Sequence, residues 1–352
     1  MKLRHALTGA IYTLQDDGNV QIEHEGKTGL FDPQGSYLRG EVTFGDKHLI
    51  GWIGGPQLGT RGGFRGAQLP GAEPQASGPR PPPDLSRRLD PDGNDRRNPE
   101  MDLGLNGRKA IVTAASRGIG LAIAQTFADQ GVDVGICARG EAGLEEARKD
   151  LEARGVKVFA KQVDVSDGDA LKGFIAEAGQ ALGGLDIFVS NASGGGGMGE
   201  AAWQATFEID VMSAARGSEA ATPLLAQSDA GAIIFISSTA AVEYLGVPQP
   251  YNAMKAALIT HGADLSQALA PQGIRVNTVS PGPIYFEGGQ WQMIEQTMPP
   301  IYQGALAQCA IGRMGAPEEV ARVVVFAASP AASLMTGANL VVDGGFTKRV
   351  GQ

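Results

Sequence analysis

From Met101 onward the chain alternates short runs of valine and isoleucine with longer segments whose apolar residues recur at helical spacing, and few folds can accommodate that alternation. The runs are "KAIVTAA", "VDVGICA", "VKVFAKQVDV", "LDIFVSNA", "AIIFISS", "IRVNTVS" and "ANLVVDGG". They are rich in β-branched residues and do not alternate between polar and apolar, the texture of strands buried on both faces. Between the first two lies "GIGLAIAQTFADQG", where Ile119, Ile123 and Phe127 fall at i, i+4 and i+8 and Gly131 supplies a stop. Strand then helix, repeated, predicts an α/β domain with a doubly wound parallel sheet covered on both sides. The roughly 250 residues after Met101 suit one such domain.

The front of the chain has another texture. Residues 1–69 contain short alternating runs broken by "DDGN", "EGKTG" and "PQGS", each suited to a tight turn, which predicts a small β-meander. It is marginal in size for independent stability and carries no recognisable chemistry. Residues 70–100 are dense in proline and charge and nearly free of large apolar side chains, so a disordered or extended linker is expected there. Residues 101–352 then form the main domain. "MDLGLNGRKAIVTAA" also reads as a natural beginning, which makes Met101 a second candidate start.

Composition excludes several classes. With 29 Lys and Arg against 38 Asp and Glu, the net charge of −9 gives no reason to seek nucleic acid or an anionic membrane. There is no signal-peptide pattern and no membrane-length apolar run, so a cytoplasmic location is expected. Cys137 and Cys309 lie far apart, and His5, His24, His48 and His261 are scattered without ligand spacing, so neither a disulfide nor a metal site is expected.

Chemistry enters at "TAASRGIG", Thr113 to Gly120, between the first strand and the first helix. A glycine-bearing turn there lets backbone amides approach a pyrophosphate, and the helix N-terminus adds partial positive charge. At the end of the second strand, where an NAD site places a carboxylate, the chain has Ala138 and Arg139; Arg139 with Arg117 could clamp a 2′-phosphate. That predicts NADP(H), with NAD(H) as the other possibility. Further on, Tyr251 and Lys255 in "YNAMK" share one face of a helix. An ammonium beside a phenol favours the phenolate, which suits a general acid/base. Ser238 ends "IIFISS" thirteen residues upstream of Tyr251, toward the carboxyl edge of the sheet.

These segments together resemble the short-chain dehydrogenase/reductase family. The cradle is similar to the family's TGxxxGxG motif, with Ala114 where the first glycine is usual, and Ser238, Tyr251 and Lys255 match its serine and YxxxK. The resemblance implies a Rossmann-like fold of seven strands in the order 3-2-1-4-5-6-7. It implies that Tyr251 exchanges the proton on the substrate oxygen, that Ser238 hydrogen-bonds that oxygen, and that Lys255 holds the nicotinamide ribose. It implies cofactor contacts from Ala114, Ser116, Arg117, Gly118, Ile119, Gly120, Asp164, Val165, Asn191, Ala192, Pro281, Gly282 and Ile284, beside Arg139, Tyr251 and Lys255.

The chain departs from the family in three further places. Ser193 replaces the glycine of the NAG segment, "IYFEGG" replaces the usual threonine after Pro281-Gly282, and Asp210 stands where an asparagine completes a proton relay. Asp164 is either the adenine-binding acid or a helix cap. The spacing of Tyr251 and Lys255 argues against related enoyl reductases, because the position seven before Lys255 is Pro248. Substrate contacts are expected from the segment after Pro281, with Trp291, Met293, Ile294 and Met298 lining an apolar pocket under a mobile lid. The expected activity is that of a carbonyl reductase or alcohol dehydrogenase on a small apolar ketone or secondary alcohol, with 3-oxoacyl thioesters, cyclic or steroid-like ketones and aromatic ketones all open. The family implies a homotetramer or homodimer. The alternative is an NADP-binding regulatory or scaffold protein in which Ala114 and Asp210 mark a weakened site.

Overall fold

A computed structural model describes residues 2–4, 10–32, 36–43, 101–244, 246 and 248–349. The linker expected at 70–100, and most of the turn at "PQGS", lie outside the described residues. The chain divides into two compact units, Met1–Ala76 and Ser77–Gln352.

In the first unit, β1 (Lys2–Arg4), β2 (Ile11–Leu14), β3 (Val20–His24), β4 (Lys27–Phe31) and β5 (Tyr37–Gly40) form an antiparallel sheet in sequence order. Tyr12, Val20, Ile22 and Phe31 are buried on one face of it, as period-2 alternation requires. Asp17 organises the β2–β3 turn by accepting the Asn19 amide at 3.0 Å.

In the second unit, seven parallel strands form one sheet. They are β6 (Lys109–Val112), β7 (Asp133–Ala138), β8 (Val158–Gln162), β9 (Ile187–Ser190), β10 (Ala232–Ile236), β11 (Arg275–Pro281) and β12 (Asn339–Val342). Their spatial order is β12-β11-β10-β9-β6-β7-β8, the doubly wound order 3-2-1-4-5-6-7. The central strands are buried on both faces because each face meets helices. Ala110, Val112, Ile234 and Ile236 point into a core shared with α1 (Gly118–Asp129), α2 (Glu141–Glu152) and α9 (Pro317–Ala328). Ile111, Ile233 and Phe235 point the other way, into a core shared with α3 (Gly168–Leu182), α5 (Ser213–Leu225) and α6 (Pro250–Leu269).

The crossing between β6 and β9 reverses the direction of winding, so the carboxyl ends of these strands open a crevice. Two short helices, α7 (Gln290–Thr297) and α8 (Pro299–Gln308), follow β11. Between β9 and α5 come α4 (Glu200–Thr206) and one π-helical turn, Phe207–Met212. Among the described residues no helix is long and apolar enough to cross a membrane, and no three His, Cys, Asp or Glu side chains gather as a metal-holding group. Cys137 is fully buried in β7, and burial pushes its thiol up to about 12, which keeps it unreactive.

Candidate active site

The turn from β6 into α1 is tied to the end of β9 through Asn191. Its side-chain amide donates to the carbonyls of Thr113 at 3.0 Å and Ala114 at 3.2 Å, and its backbone amide donates to Thr113 Oγ1 at 3.0 Å. Gly120 makes that approach possible: a β-carbon there would lie 2.4 Å from Asn191 Nδ2 and 2.5 Å from the Ala114 carbonyl. Ala114 occupies the left-handed region at φ +53°, where its family counterpart is glycine, so the turn keeps its shape at the expense of local strain. The N-terminus of α1 has no side-chain cap and no acidic residue in its first turn, and its partial positive charge is left for a ligand.

That helix end faces a cavity of about 480 Å³. Ala114, Ser116, Arg117, Gly118, Ile119, Gly120, Arg139, Asp164, Val165, Asn191 and Ala192 all line it. The lining suits a dinucleotide, with an open helix N-terminus at one end and, at the tip of β7, a guanidinium rather than a carboxylate. Asp164 also braces its own turn, since its Oδ1 accepts the Ser166 amide at 3.0 Å and hydroxyl at 2.7 Å. The Ser166 amide, then its hydroxyl, holds the Asp164 carboxyl below the ordinary range; burial opposes this, and the Arg139 charge assists. The cap of α3 is Asp167, which accepts from the Asp169 and Ala170 amides. Arg117 does not turn toward Arg139 but donates to the Gly288 carbonyl at 3.1 Å.

Sequence reasoning missed Phe286, which also lines this cavity and packs against Gly118. The only signal was negative, the absence of the family's threonine at that place.

Ser238, Tyr251, Lys255 and Asp210 come from three elements. Ser238 follows β10 and caps the short 3₁₀ turn Thr239–Ala241, accepting the Ala240 amide at 3.1 Å and keeping its proton available to donate. Tyr251 is in the first turn of α6, behind Pro250, whose fixed φ favours a helix start. Lys255 is 2 % exposed, its Nζ 5.7 Å from the centre of the Tyr251 ring and donating to the Ile236 carbonyl at 2.9 Å. Ser237 fixes the lysine's own backbone, donating to the Lys255 carbonyl at 2.7 Å. Asp210, on the π-helical turn, puts Oδ1 2.8 Å from Nζ. That contact is one of charge rather than of an aligned hydrogen bond, because Oδ1 has no hydrogen-bond partner by geometry. Its Oδ2 accepts the Gly194 amide at 2.6 Å.

A second cavity, about 500 Å³, opens beside Thr239, Gly282 and Pro283. Its apolar wall comes from Trp291, Ile301, Ala305 and Phe346. Pro281 ends β11, Gly282 is pressed against Asp343, and Ile284 is buried in a short bridge with Gly315. Of the four side chains expected in the pocket, Trp291 lines it, Ile294 is buried, and Met293 and Met298 are exposed. Tyr285, whose amide donates to the Gly315 carbonyl at 2.8 Å, holds α7 by donating its hydroxyl to Glu295 Oε2 at 2.6 Å.

The family model described as enoyl-(acyl carrier protein) reductase matches residues 113–347. Isoepoxydon dehydrogenase patN of Penicillium expansum is 36% identical over 250 residues, covering 70% of this chain and 96% of that protein. Human dehydrogenase/reductase SDR family member 4 is 32% identical over 271 residues, covering 75% of this chain and 95% of that one. Among solved structures, L-sorbose reductase from Gluconobacter frateurii, complexed with NADPH and L-sorbose, superposes with a TM-score of 0.66 at 32% identity, over 71% of this chain and 100% of that one. A short chain dehydrogenase from Burkholderia cenocepacia J2315, in complex with NADP, gives 0.64 at 31% identity, over 69% and 98%.

Proposed function

This chain belongs to the short-chain dehydrogenase/reductase family, and from that premise we propose that it is an NADP(H)-dependent oxidoreductase interconverting a ketone and a secondary alcohol, with Tyr251 as the acid/base. The observation that carries the reading is the placement of the Lys255 ammonium, buried and 5.7 Å from the centre of the Tyr251 ring.

When bound, the cofactor supplies or accepts the hydride. The rest falls to the chain. The open end of α1 takes the diphosphate, Arg139 takes the 2′-phosphate, and Lys255 holds ribose hydroxyls. Ser238 donates to the substrate oxygen and orients it. Tyr251 gives that oxygen its proton in reduction and removes it in oxidation. NADP(H) in preference to NAD(H) follows from Arg139 at the tip of β7 and is supported by the NADPH and NADP bound in the two similar structures. The substrate is small and neutral, since the lining of the second cavity has apolar side chains, Thr239 and Gln308 but no charged side chain among the described residues.

Residues 101–352 form the catalytic domain, with residues 1–69 a separate module and 70–100 its linker. We place the enzyme in the cytoplasm as a homotetramer or homodimer, whose contacts pair helices around Tyr251.

The test mixes purified protein and NADPH with a panel of neutral ketones and follows nicotinamide absorbance. Turnover that Tyr251→Phe reduces at least about a thousandfold, without weakening NADPH binding, supports the reading. Binding of NADPH without turnover of any ketone would favour a regulatory role instead. Truncation before Met101 should leave kcat unchanged.

A further inference from the structure

Asp210 and Lys255 form a fully buried ion pair, with side chains 0 % and 2 % exposed. Burying two charges is costly unless each is also held by other polar groups. Here the carboxylate holds the Gly194 amide with Oδ2, and the ammonium holds the Ile236 carbonyl. An asparagine of the same shape could make the Gly194 contact equally well, so geometry alone does not call for a carboxylate. What the carboxylate adds is charge.

We propose that Asp210 is a positioning residue whose negative charge offsets the Lys255 ammonium beside Tyr251 and so sets the site for reduction. This rests on the reading of Tyr251 as the acid/base. The Lys255 Nζ lies 5.7 Å from the centre of the Tyr251 ring, and a unit charge at such a distance inside a protein moves a neighbouring ionisation by about a pH unit or more, so uncovering that charge by removing its counter-ion is measurable.

Among the described residues, the other charges near α6 are engaged elsewhere or stand apart from Lys255. Glu243 lines a cavity with Asn252 and Ala253 of α6 and accepts the Lys348 amide with Oε2 at 3.1 Å. The same helix carries His261 and Asp264 more than a turn beyond Lys255. On the π-helical turn, Glu208 is drawn off to Arg216 at 2.8 Å. On β11, Arg275 is held by the Ala327, Ala328 and Ser329 carbonyls. On α4, Glu200 faces Gln204. β10 and the two 3₁₀ turns against α6 contribute no ionisable side chain.

The test is an ultraviolet titration of phenolate absorbance in the nucleotide-free protein, taken as the difference from Tyr251→Phe. Asp210→Asn should move the Tyr251 transition to lower pH by about one unit or more, and the acid limb of kcat/KM for alcohol oxidation should move with it. Lys255→Met alone should move the transition to higher pH. The double variant Asp210→Asn with Lys255→Met removes both buried charges, so it avoids an unpaired ion and should titrate within about half a unit of the parent. A double variant displaced to higher pH by a unit or more, or an Asp210→Asn protein titrating with the parent, would overturn the proposal. If Tyr251→Phe retains turnover, the acid/base reading fails separately, and the titration still decides the charge question.

Discussion

The Phe286 ring rests on Gly118, so that a β-carbon at Gly118 would come within 2.6 Å of Cζ. The same loop is latched to the cradle by Arg117, which donates to the Gly288 carbonyl. An apolar ring therefore flanks the glycine turn at the start of α1. Gly118 also sits at φ +55°, so alanine there meets both strain and the ring. Gly118→Ala should lower unfolding stability in urea by about 1–3 kcal/mol. Adding Phe286→Ala should restore the steric part and leave the backbone part, which a double-mutant cycle separates.

Ala114, four residues before Gly118, holds φ +53° with a side chain that disfavours that region. Relief of the left-handed strain is worth about 1–2 kcal/mol, offset by about 0.4–1 kcal/mol of extra freedom in the unfolded chain. Ala114→Gly should therefore raise stability by up to about 1.6 kcal/mol, or up to ~3–6 °C in Tm by calorimetry, and leave NADPH affinity within about twofold. A lower Tm would mean that the methyl group has a packing role that outweighs the strain.

The sheet was legible because its strands are buried on both faces and each signal is contiguous, as "AIIFI" in β10 illustrates. The cradle and the Tyr251–Lys255 pair were legible for the same reason, their residues being neighbours in sequence. Relations across the fold were not. Nothing local marks Phe286 as a partner of Gly118, or Asp210 as the counter-charge of Lys255, because each contact is made only once β6, the π-helical turn and α6 are assembled. The π-helical turn itself has no compositional signature. Met293 and Met298 look suited to a pocket by composition, but the direction in which α7 and its end face leaves both exposed. Asp164 suits a helix cap by composition in "DVSDGDAL", but the geometry gives the cap to Asp167.

Arg139 at the rim of the dinucleotide cavity should decide the choice of cofactor. A lost charge-assisted contact to a phosphate corresponds to about 10–100-fold in affinity. Arg139→Ala should weaken NADPH binding by that factor and change NADH binding by less than about threefold, measured by calorimetric titration of both nucleotides. Arg139→Asp should go further and prefer NADH, because a carboxylate there repels a 2′-phosphate and accepts from a free hydroxyl. Equal losses for both nucleotides would show that Arg139 acts on shared structure rather than on the 2′ position.

Glu319 should make the loop beside the second cavity, which Pro283 lines, sensitive to acid. Arg313 grips its carboxylate with two bonds of 2.7 Å, and the Ala316 amide donates to Oε2 at 2.9 Å. Arg313 first, with help from the Ala316 amide and against burial, holds the Glu319 carboxyl below the ordinary glutamate range. The loop so fixed carries Gly315, which exchanges backbone hydrogen bonds with Pro283 and Tyr285 on either side of Ile284. Because the folded-state value is depressed, the stabilisation is complete above the ordinary glutamate range and is lost as pH falls through the folded-state value. Glu319→Gln should cost about 1–3 kcal/mol in urea unfolding at pH 7 and nothing beyond error once the parent is itself protonated. A difference that persists undiminished into acid would mean that shape, not charge, secures this loop.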